Sequence, residues 1–178
     1  MKVIGLLGAE CTGKSTVARQ LAAQTPATVV PEKLREFVDL AGRTPLCHEQ
    51  SALMSAQRLA IDSIAADSQQ WVIADPAPAM TAIYSLAYFD DSSLLDDAIA
   101  DCRKFAVLLW CRPDIPWVAD GLQRDGAEMR AAVDALIADR LLPDLESEVP
   151  VANLRGNVAM RMHVARTALQ GCVAPLNP

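Results

Sequence analysis

The sequence has no long apolar run, no closely spaced cysteine pair and no excess of basic residues. No stretch reaches the length of about 18 apolar residues that a transmembrane helix needs, although 52% of the 178 residues are hydrophobic. The formal net charge of −6 argues against nucleic acid as the main partner, because nucleic-acid-binding proteins displace counterions with a basic surface. A small polyphosphate ligand needs only a local basic cluster. We therefore expect a soluble protein with a small-molecule substrate and no membrane partner.

Cysteine and histidine are too scattered for a disulfide framework or a zinc site. The five cysteines are odd in number and far apart, and none forms a C-x-x-C pair. The two histidines, His48 and His163, have no partner at ligand spacing, so we expect neither to bind a metal. Met1 and Lys2 lead directly into the first predicted strand. This leaves no room for a signal peptide and predicts a cytoplasmic location.

Apolar runs alternate with helical patterns along the whole chain. The runs that predict strands are Val3–Leu7, Ala27–Val30, Trp71–Ala74, Phe105–Cys111 and Val149–Leu154. Alternation of this kind predicts a parallel sheet with helices on both faces. A length of 178 residues suits one core, so we predict a single domain over residues 1–178. Gly171 is the predicted C-terminal cap of the last helix.

Residues Gly8–Ser15 match the phosphate-loop pattern G-x-x-x-x-G-K-[ST]. A predicted strand precedes the loop and a predicted helix over Ser15–Gln24 follows it, which argues against a chance match. Gly8 and Gly13 allow the backbone to turn its N–H groups toward a phosphate. Lys14 is expected to reach the β- and γ-phosphates and Ser15 to ligate Mg²⁺. The loop therefore predicts ATP or GTP binding.

Asp75 directly follows the third predicted strand. Ligands of parallel α/β sheets bind beyond the carboxyl ends of the strands, and a carboxylate at this point contacts Mg²⁺ or its water in phosphate-loop enzymes. Asp75 is thus the leading metal-site partner of Ser15. The alternative is that Asp75 caps a helix that begins near Pro76.

Glu32 follows the second predicted strand by one proline. Its carboxylate is placed to accept a proton from a substrate hydroxyl, or to hydrogen-bond ribose hydroxyls. Arg35 and Glu36 lie three and four residues later, on the same face of a helix. The alternative is an exposed Glu32–Arg35 ion pair worth a few tenths of a kcal/mol.

The segment over about residues 113–140 has the composition of a lid. Two glycines permit hinge motion, and an arginine that closes over the phosphates would neutralise charge in phosphoryl transfer. Its notable residues are Trp117, Asp120, Gly121, Arg124, Gly126, Arg130 and Arg140. The alternative is a surface helix whose arginines face water.

Three motifs of the chain together match the pattern of one known family. Gly8–Thr16 is similar to G-x-E-S-x-G-K-S-T, Glu32–Val38 to E-x-x-R-[DE]-[YF]-V, and Pro116–Gly121 to P-W-x-x-D-G. With these motifs, and over nearly its whole length, the chain resembles the ribosylnicotinamide kinase domain of the NadR type, a P-loop kinase-like domain.

The resemblance implies a role for specific residues. In the loop it adds nucleotide contacts from Glu10, Thr12 and Thr16. It makes Glu32, Arg35 and Glu36 substrate-site residues, and it makes Trp117, Asp120 and Arg124 lid elements. Gly156 and Arg161 match its G-x-x-x-x-R pattern after the fifth strand, where the adenine is held.

We therefore predict a three-layer α/β/α P-loop NTPase fold with five parallel strands in the order 2-3-1-4-5. The predicted function is Mg²⁺- and ATP-dependent phosphorylation of a nucleoside-like hydroxyl, with nicotinamide riboside as the first candidate. Lys14, Glu32, Asp75 and Arg124 are the predicted catalytic residues. The alternative is a nucleotide-binding switch or NTPase without kinase activity. It is motivated by Ala77, where the family has a polar residue, and by Gln123, where it has the lid arginine.

Overall fold

Five parallel strands form one sheet in the order β2-β3-β1-β4-β5, as predicted. The strands of this computed structural model are β1 (Val3–Leu7), β2 (Ala27–Val30), β3 (Trp71–Ala74), β4 (Val107–Cys111) and β5 (Val151–Leu154). The structure describes residues 2–67, 70–117, 126–145 and 147–172. The central strand β1 pairs with β3 on one side and with β4 on the other. The phosphate loop that follows β1 therefore emerges near the middle of the sheet.

Seven α-helices connect and cover these strands within the described ranges. They are α1 (Lys14–Gln24), α2 (Lys33–Ala41), α3 (Gln50–Asp67), α4 (Ala79–Phe89), α5 (Leu95–Cys102), α6 (Gly126–Leu136) and α7 (Val158–Cys172). A short 3-10 helix over Cys47–Glu49 precedes α3, and α6 continues into a π-helical turn over Ile137–Leu141 and a 3-10 turn over Leu142–Asp144. No helix in these ranges has the length and apolar character needed to cross a bilayer.

Side chains of β1 alternate between two separate cores, which makes the fold three-layered. Val3 and Leu7 pack with α3 to α6 on one face, while Ile4 and Leu6 pack with α1 and α7 on the other. All five β1 residues are buried, so the strand reads as a continuous apolar run rather than an alternating one. Burial of each large aliphatic side chain contributes about 1.5–3 kcal/mol. The two cores together hold β1, and with it the phosphate loop, in place.

Four predicted boundaries differ from the structure. Helix α1 begins at Lys14, one residue before the predicted Ser15. Strand β4 begins at Val107, because the Phe105 N–H donates to the Cys102 carbonyl (3.0 Å) in the turn after α5. Strand β5 begins at Val151, because the Val149 N–H donates to the Leu145 carbonyl (2.8 Å). Gly171 lies inside α7, which extends to Cys172, and it lacks the positive φ of a capping glycine.

Gly5, in the middle of β1, is the position where the sheet tolerates an added methyl group least. A Cβ there would lie 2.5 Å from Cδ2 of Phe105 and 2.8 Å from Cδ2 of Leu108. We expect Gly5→Ala to lower the free energy of unfolding by about 1–3 kcal/mol, the usual cost of overpacking a filled core. Urea denaturation measures the difference.

Gly171→Ala is the matched control. Among the described residues outside the helix's own backbone, no heavy atom lies within 4 Å of a Cβ built at Gly171, and alanine in a helix is favoured over glycine by roughly 0.5–1 kcal/mol. This variant should be as stable as the wild type or slightly more stable. Equal stability of Gly5→Ala and the wild type would contradict the packing described for Phe105.

Candidate functional site

The phosphate loop is packed tightly against the end of β4. Gly8 has a φ of 139°, and a Cβ there would lie 2.5 Å from the carbonyl oxygen of Cys111. The Thr12 hydroxyl donates to the Ala9 carbonyl (2.7 Å) and closes the loop internally. Cys11 and Gly13 also have positive φ, at 51° and 84°. Consecutive turns of this kind direct backbone N–H groups to one side, the arrangement that binds anions.

Helix α1 begins at Lys14 and presents its N-terminus at this loop. Gly13 is the N-cap residue and provides no side-chain hydrogen bond to the first turn, which contains no acidic residue. The first N–H groups of a helix have no partner within it and carry partial positive charge. The Lys14 ammonium donates to the carbonyls of Gly8 (2.8 Å) and Ala9 (2.7 Å). A cationic group and uncapped N–H groups therefore converge beside one loop.

A cavity of about 680 Å³ opens next to this loop. Its volume lies within the usual range of roughly 300–1,000 Å³ for small-molecule sites. Most of the residues predicted for nucleotide and substrate line it together. These are Glu10, Thr12, Gly13, Lys14, Ser15, Thr16, Glu32, Arg35, Glu36 and Asp75. The remaining lining residues are Cys11, Arg19, Val29, Pro31, Leu34, Asp39 and Tyr84.

Glu32 is the N-cap residue of α2, yet its carboxylate makes no capping hydrogen bond. Burial raises the pKa of this carboxyl above its usual 4.5 and outweighs the charges of Lys14 and Arg35, which lower it, while Asp75 raises it further. A carboxyl with a raised pKa is a better proton acceptor near neutral pH than an exposed one. The Glu32 carboxylate therefore lies close enough to Lys14, Arg35 and Asp75 for their charges to affect its pKa.

Asp75 lies at the carboxyl end of β3 and is 8% exposed. Its N–H donates to the Val30 carbonyl (3.1 Å), which extends the pairing of β2 and β3 to the edge of the cavity. The Asp75–Pro76 peptide bond is cis. Helix α4 begins only at Ala79, with Pro78 as its N-cap residue. The alternative that Asp75 caps this helix is therefore wrong, and its carboxylate lies in the same cavity as Ser15.

Arg161 does not line the cavity but lies behind the phosphate loop, 2% exposed. Its guanidinium donates to the carbonyls of Gly156 (2.8 Å), Thr12 (2.7 Å) and Arg112 (2.9 Å). It also pairs with the Asp114 carboxylate, which in turn accepts a hydrogen bond from the Gly156 N–H (2.7 Å). One side chain thus connects the phosphate loop with the ends of β4 and β5. The adenine contacts expected of Gly156 and Arg161 stay a prediction.

Within the segment expected to form a lid, helix α6 is bonded to the amino-terminal end of the same segment. Arg130 is 7% exposed, and its guanidinium donates to the carbonyls of Pro113 and Ile115. The alternative of a helix whose arginines face water does not apply to Arg130. Trp117 is 37% exposed and is not part of the cavity lining. Asp120 and Arg124 lie outside the described residues.

Three polar cavity residues were missed in the sequence. Arg19 lies one turn after Ser15 on α1 and donates to its carbonyl (3.1 Å), and Asp39 lies one turn after Glu36 on α2. Helical spacing from predicted site residues could have identified both. Tyr84 of α4 gives no such signal, because it lies within an apolar stripe typical of core.

A family model described as an AAA domain matches residues 3–161, most of the chain. The chain belongs to this AAA domain family. The matched range includes the phosphate loop, the cavity residues Glu32 and Asp75, and Arg161. No curated protein sequence matches this AAA domain with significance.

Solved structures share the fold at low sequence identity. NadR protein in complex with NR superimposes with a TM-score of 0.73 at 20% identity, over 96% of this chain and 50% of that one. NadR in complex with NAD and AMP-PNP gives 0.69 at 20% identity, over 99% and 51%. Deoxyadenosine kinase from M. mycoides with bound dCTP gives 0.65 at 13% identity, over 95% and 99%. This AAA domain therefore spans about half the length of the NadR chains it matches.

The Arg161 contacts predict a large stability loss on Arg161→Met. The substitution leaves the buried Thr12 carbonyl, the partly buried carbonyls of Arg112 and Gly156, and the Asp114 carboxylate without their cationic donor, which should cost about 3 kcal/mol. Arg161→Lys should recover only a small part, because one ammonium cannot span the acceptors of a planar guanidinium. Chemical denaturation of both variants measures the losses.

Arg166→Met, on the same helix, is the control. Arg166 is exposed and makes a single 3.4 Å contact with Gln24, so the change should stay within about 0.5 kcal/mol. A loss as small for Arg161→Met as for Arg166→Met would disprove the role assigned to Arg161.

The raised pKa of Glu32 predicts a pH-dependent stability change in Glu32→Gln. The folded protein disfavours the ionised carboxylate, so wild-type stability falls as the pH rises from 4.5 through the raised pKa. Removing the charge should raise Tm at about pH 7.5, and the gain should vanish at about pH 4, where the carboxyl is protonated in both states.

Glu49→Gln should behave in the opposite way. The hydrogen bonds from Arg43 lower the pKa of Glu49 to about 2, so its ionised form stabilises the folded state above pH 4.5. This variant should lose Tm at neutral pH, and the loss should shrink toward pH 2. If the rise in Tm caused by Glu32→Gln persisted at about pH 4, it would contradict the desolvation assigned to Glu32.

Proposed function

We propose that this AAA domain is an ATP-dependent kinase that phosphorylates a hydroxyl group of a small, nucleoside-like molecule. One observation carries the proposal. The cavity continues from Lys14 and Ser15 of the phosphate loop to Glu32 and Arg35 of the β2 end. It thus offers space for an acceptor beside the position of a bound triphosphate.

The nucleotide would bind with its phosphates over Gly8–Ser15. The uncapped N–H groups of α1 and the Lys14 ammonium would contact the β- and γ-phosphates. On binding, phosphate oxygens would replace the carbonyls that Lys14 contacts in this structure. The complex of NadR with NAD and the ATP analogue AMP-PNP supports ATP as the phosphoryl donor.

The acceptor hydroxyl would attack the γ-phosphorus while the bond to the β-γ bridging oxygen breaks and ADP leaves. The Glu32 carboxylate would accept the hydroxyl proton, and its burial supports this role. Arg35, Glu36, Trp117 and Asp120 are the proposed acceptor contacts. Arg124 is proposed to close over the γ-phosphate, and Gly156 with Arg161 to border the adenine.

The hydroxyl of Ser15 and the carboxylate of Asp75 suit Mg²⁺, which prefers oxygen ligands. Bound Mg²⁺ supplies charge neutralisation on the phosphates. In the described part of the chain no three His, Cys, Asp or Glu side chains cluster as a metal site. The ion's other ligands would therefore be phosphates and water.

Nicotinamide riboside is the acceptor to test first. The motifs at Gly8–Thr16, Glu32–Val38 and Pro116–Gly121 support it, as does the NadR structure in complex with NR. Purified protein should release ADP faster with this riboside, or with another nucleoside-like alcohol, than with water. A panel in which no hydroxylated compound accelerates ADP release would favour the nucleotide-binding switch instead.

Lys14→Ala and Glu32→Gln should impair different steps, ATP binding in the first variant and phosphoryl transfer in the second. Loss of the Lys14 ammonium should weaken ATP binding and lower turnover. Glu32→Gln should leave ATP affinity nearly unchanged and lower kcat by about 10²-fold, the usual scale for a lost general base. Calorimetry with an ATP analogue and steady-state kinetics separate the two effects.

Glu148→Gln serves as the control for the loss of a carboxylate. Glu148 is exposed, pairs with Arg103 and lies outside the cavity, so both binding and kcat should be unchanged. Normal turnover by Glu32→Gln would show that the acceptor is activated by another group.

A further inference from the structure

A buried glutamine connects the loop that bears Glu32 with the loop that bears Asp75. Gln57 of α3 is 3% exposed and is not part of the cavity lining. Its Oε1 accepts a hydrogen bond from the Lys33 N–H (2.8 Å), and its Nε2 donates to the Pro76 carbonyl (3.3 Å). Lys33 follows Glu32 and Pro76 follows Asp75. A single amide group therefore spans both loops.

The first of these bonds replaces a missing helix cap. The N–H groups in the first turn of a helix need acceptors from outside it. Glu32 holds the N-cap position of α2 but makes no capping hydrogen bond, and Gln57 supplies the acceptor from another helix. The Glu32 carboxylate is thereby released from capping and can lie in the cavity.

Packing alone does not hold α2 in place, because the helix contains no fully buried residue. Its Lys33–Glu36 ion pair lies within the helix itself. Beyond its C-terminus, Arg43 pairs with Glu49 ahead of α3 (2.7 Å). The Gln57 contact is a hydrogen bond that ties the N-terminal end of α2, next to Glu32, to α3.

We propose that Gln57 is a positioning residue for the proposed phosphoryl transfer: it sets the place of Glu32 relative to Asp75 beside the phosphate loop. The inference rests on the proposed function for its catalytic consequence, but its structural part is independent of any acceptor. A displacement of about 1 Å at a reacting group can cost 10²-fold in rate. Loss of the Gln57 amide should therefore affect turnover rather than nucleotide binding.

The test is Gln57→Met, which preserves side-chain length and helix propensity but removes both hydrogen bonds. Hydrogen exchange over residues 31–41 should accelerate at least about 10-fold. ADP release, measured with the best acceptor and with water alone, should show kcat lowered by about 10- to 100-fold. The KM for ATP should stay within about twofold, since the phosphate loop keeps its own contacts.

Gln50→Met is the matched control on the same helix. Gln50 is 5% exposed, and no described hydrogen bond joins its side chain to either loop. Hydrogen exchange over residues 31–41 and kcat should therefore match those of the wild type. If Gln57→Met does not fold, Gln57→Glu provides the second test. This variant keeps an acceptor for the Lys33 N–H but loses the donor to the Pro76 carbonyl. It should therefore leave hydrogen exchange in α2 unchanged and lower kcat.

The outcomes separate this inference from the proposed function. Unchanged exchange over 31–41 in Gln57→Met overturns the inference whatever the acceptor. Faster exchange with wild-type kcat also overturns it, because Gln57 would then be structural only. If no acceptor is found, the kinase proposal fails, while exchange and water-dependent ATP turnover still decide the role of Gln57.

Discussion

The guanidinium of Arg161 is the interaction on which the geometry of the site depends. It draws together the carbonyls of Thr12, Arg112 and Gly156, which belong to the ends of three parallel strands. Such carbonyls would repel one another without a cation between them. Asp114 balances the buried charge and also holds the Gly156 N–H. Charge-assisted hydrogen bonds of this kind are stronger and more directional than neutral ones, so they can hold the phosphate loop against the sheet.

The opposite side of the site is built on a weaker scaffold. Helix α2 supplies Arg35, Glu36 and Asp39 to the cavity but has no fully buried side chain. Its apolar residues Leu34, Phe37 and Val38 are only half-buried, so the hydrogen bond from Gln57 of α3 adds to a limited apolar contact. Elements with few buried contacts have low local opening free energies. The cavity therefore has a firmly held wall at the phosphate loop and a less firmly held wall beside Glu32.

Charge within the cavity is mixed rather than uniformly basic. Lys14, Arg19 and Arg35 face Glu32, Glu36, Asp39 and Asp75, which explains how an acidic protein can contain a phosphate-binding site. Local cations and the α1 terminus attract the phosphates, while the net charge of the chain remains −6. Desolvation of Glu32 outweighs the pull of the neighbouring cations on its pKa. Burial is therefore the dominant electrostatic influence on this carboxyl.

The sequence by itself determined the strands and the phosphate loop, because these follow from local signals, and the strand order was predicted from the rules for doubly wound parallel sheets. Apolar runs, a glycine-bounded loop and the helix after it lie within a few residues of one another, and strand-end rules extend them to Glu32 and Asp75. The strand boundaries at Phe105 and Val149 were wrong, since hydrogen bonds of the preceding turns decide them. The contacts of Arg161 with Thr12 and of Gln57 with Lys33 were decided only by the tertiary structure. These partners lie 149 and 24 residues apart, and the pairing of a buried polar side chain depends on which backbone atoms the folded chain places within about 3 Å of it.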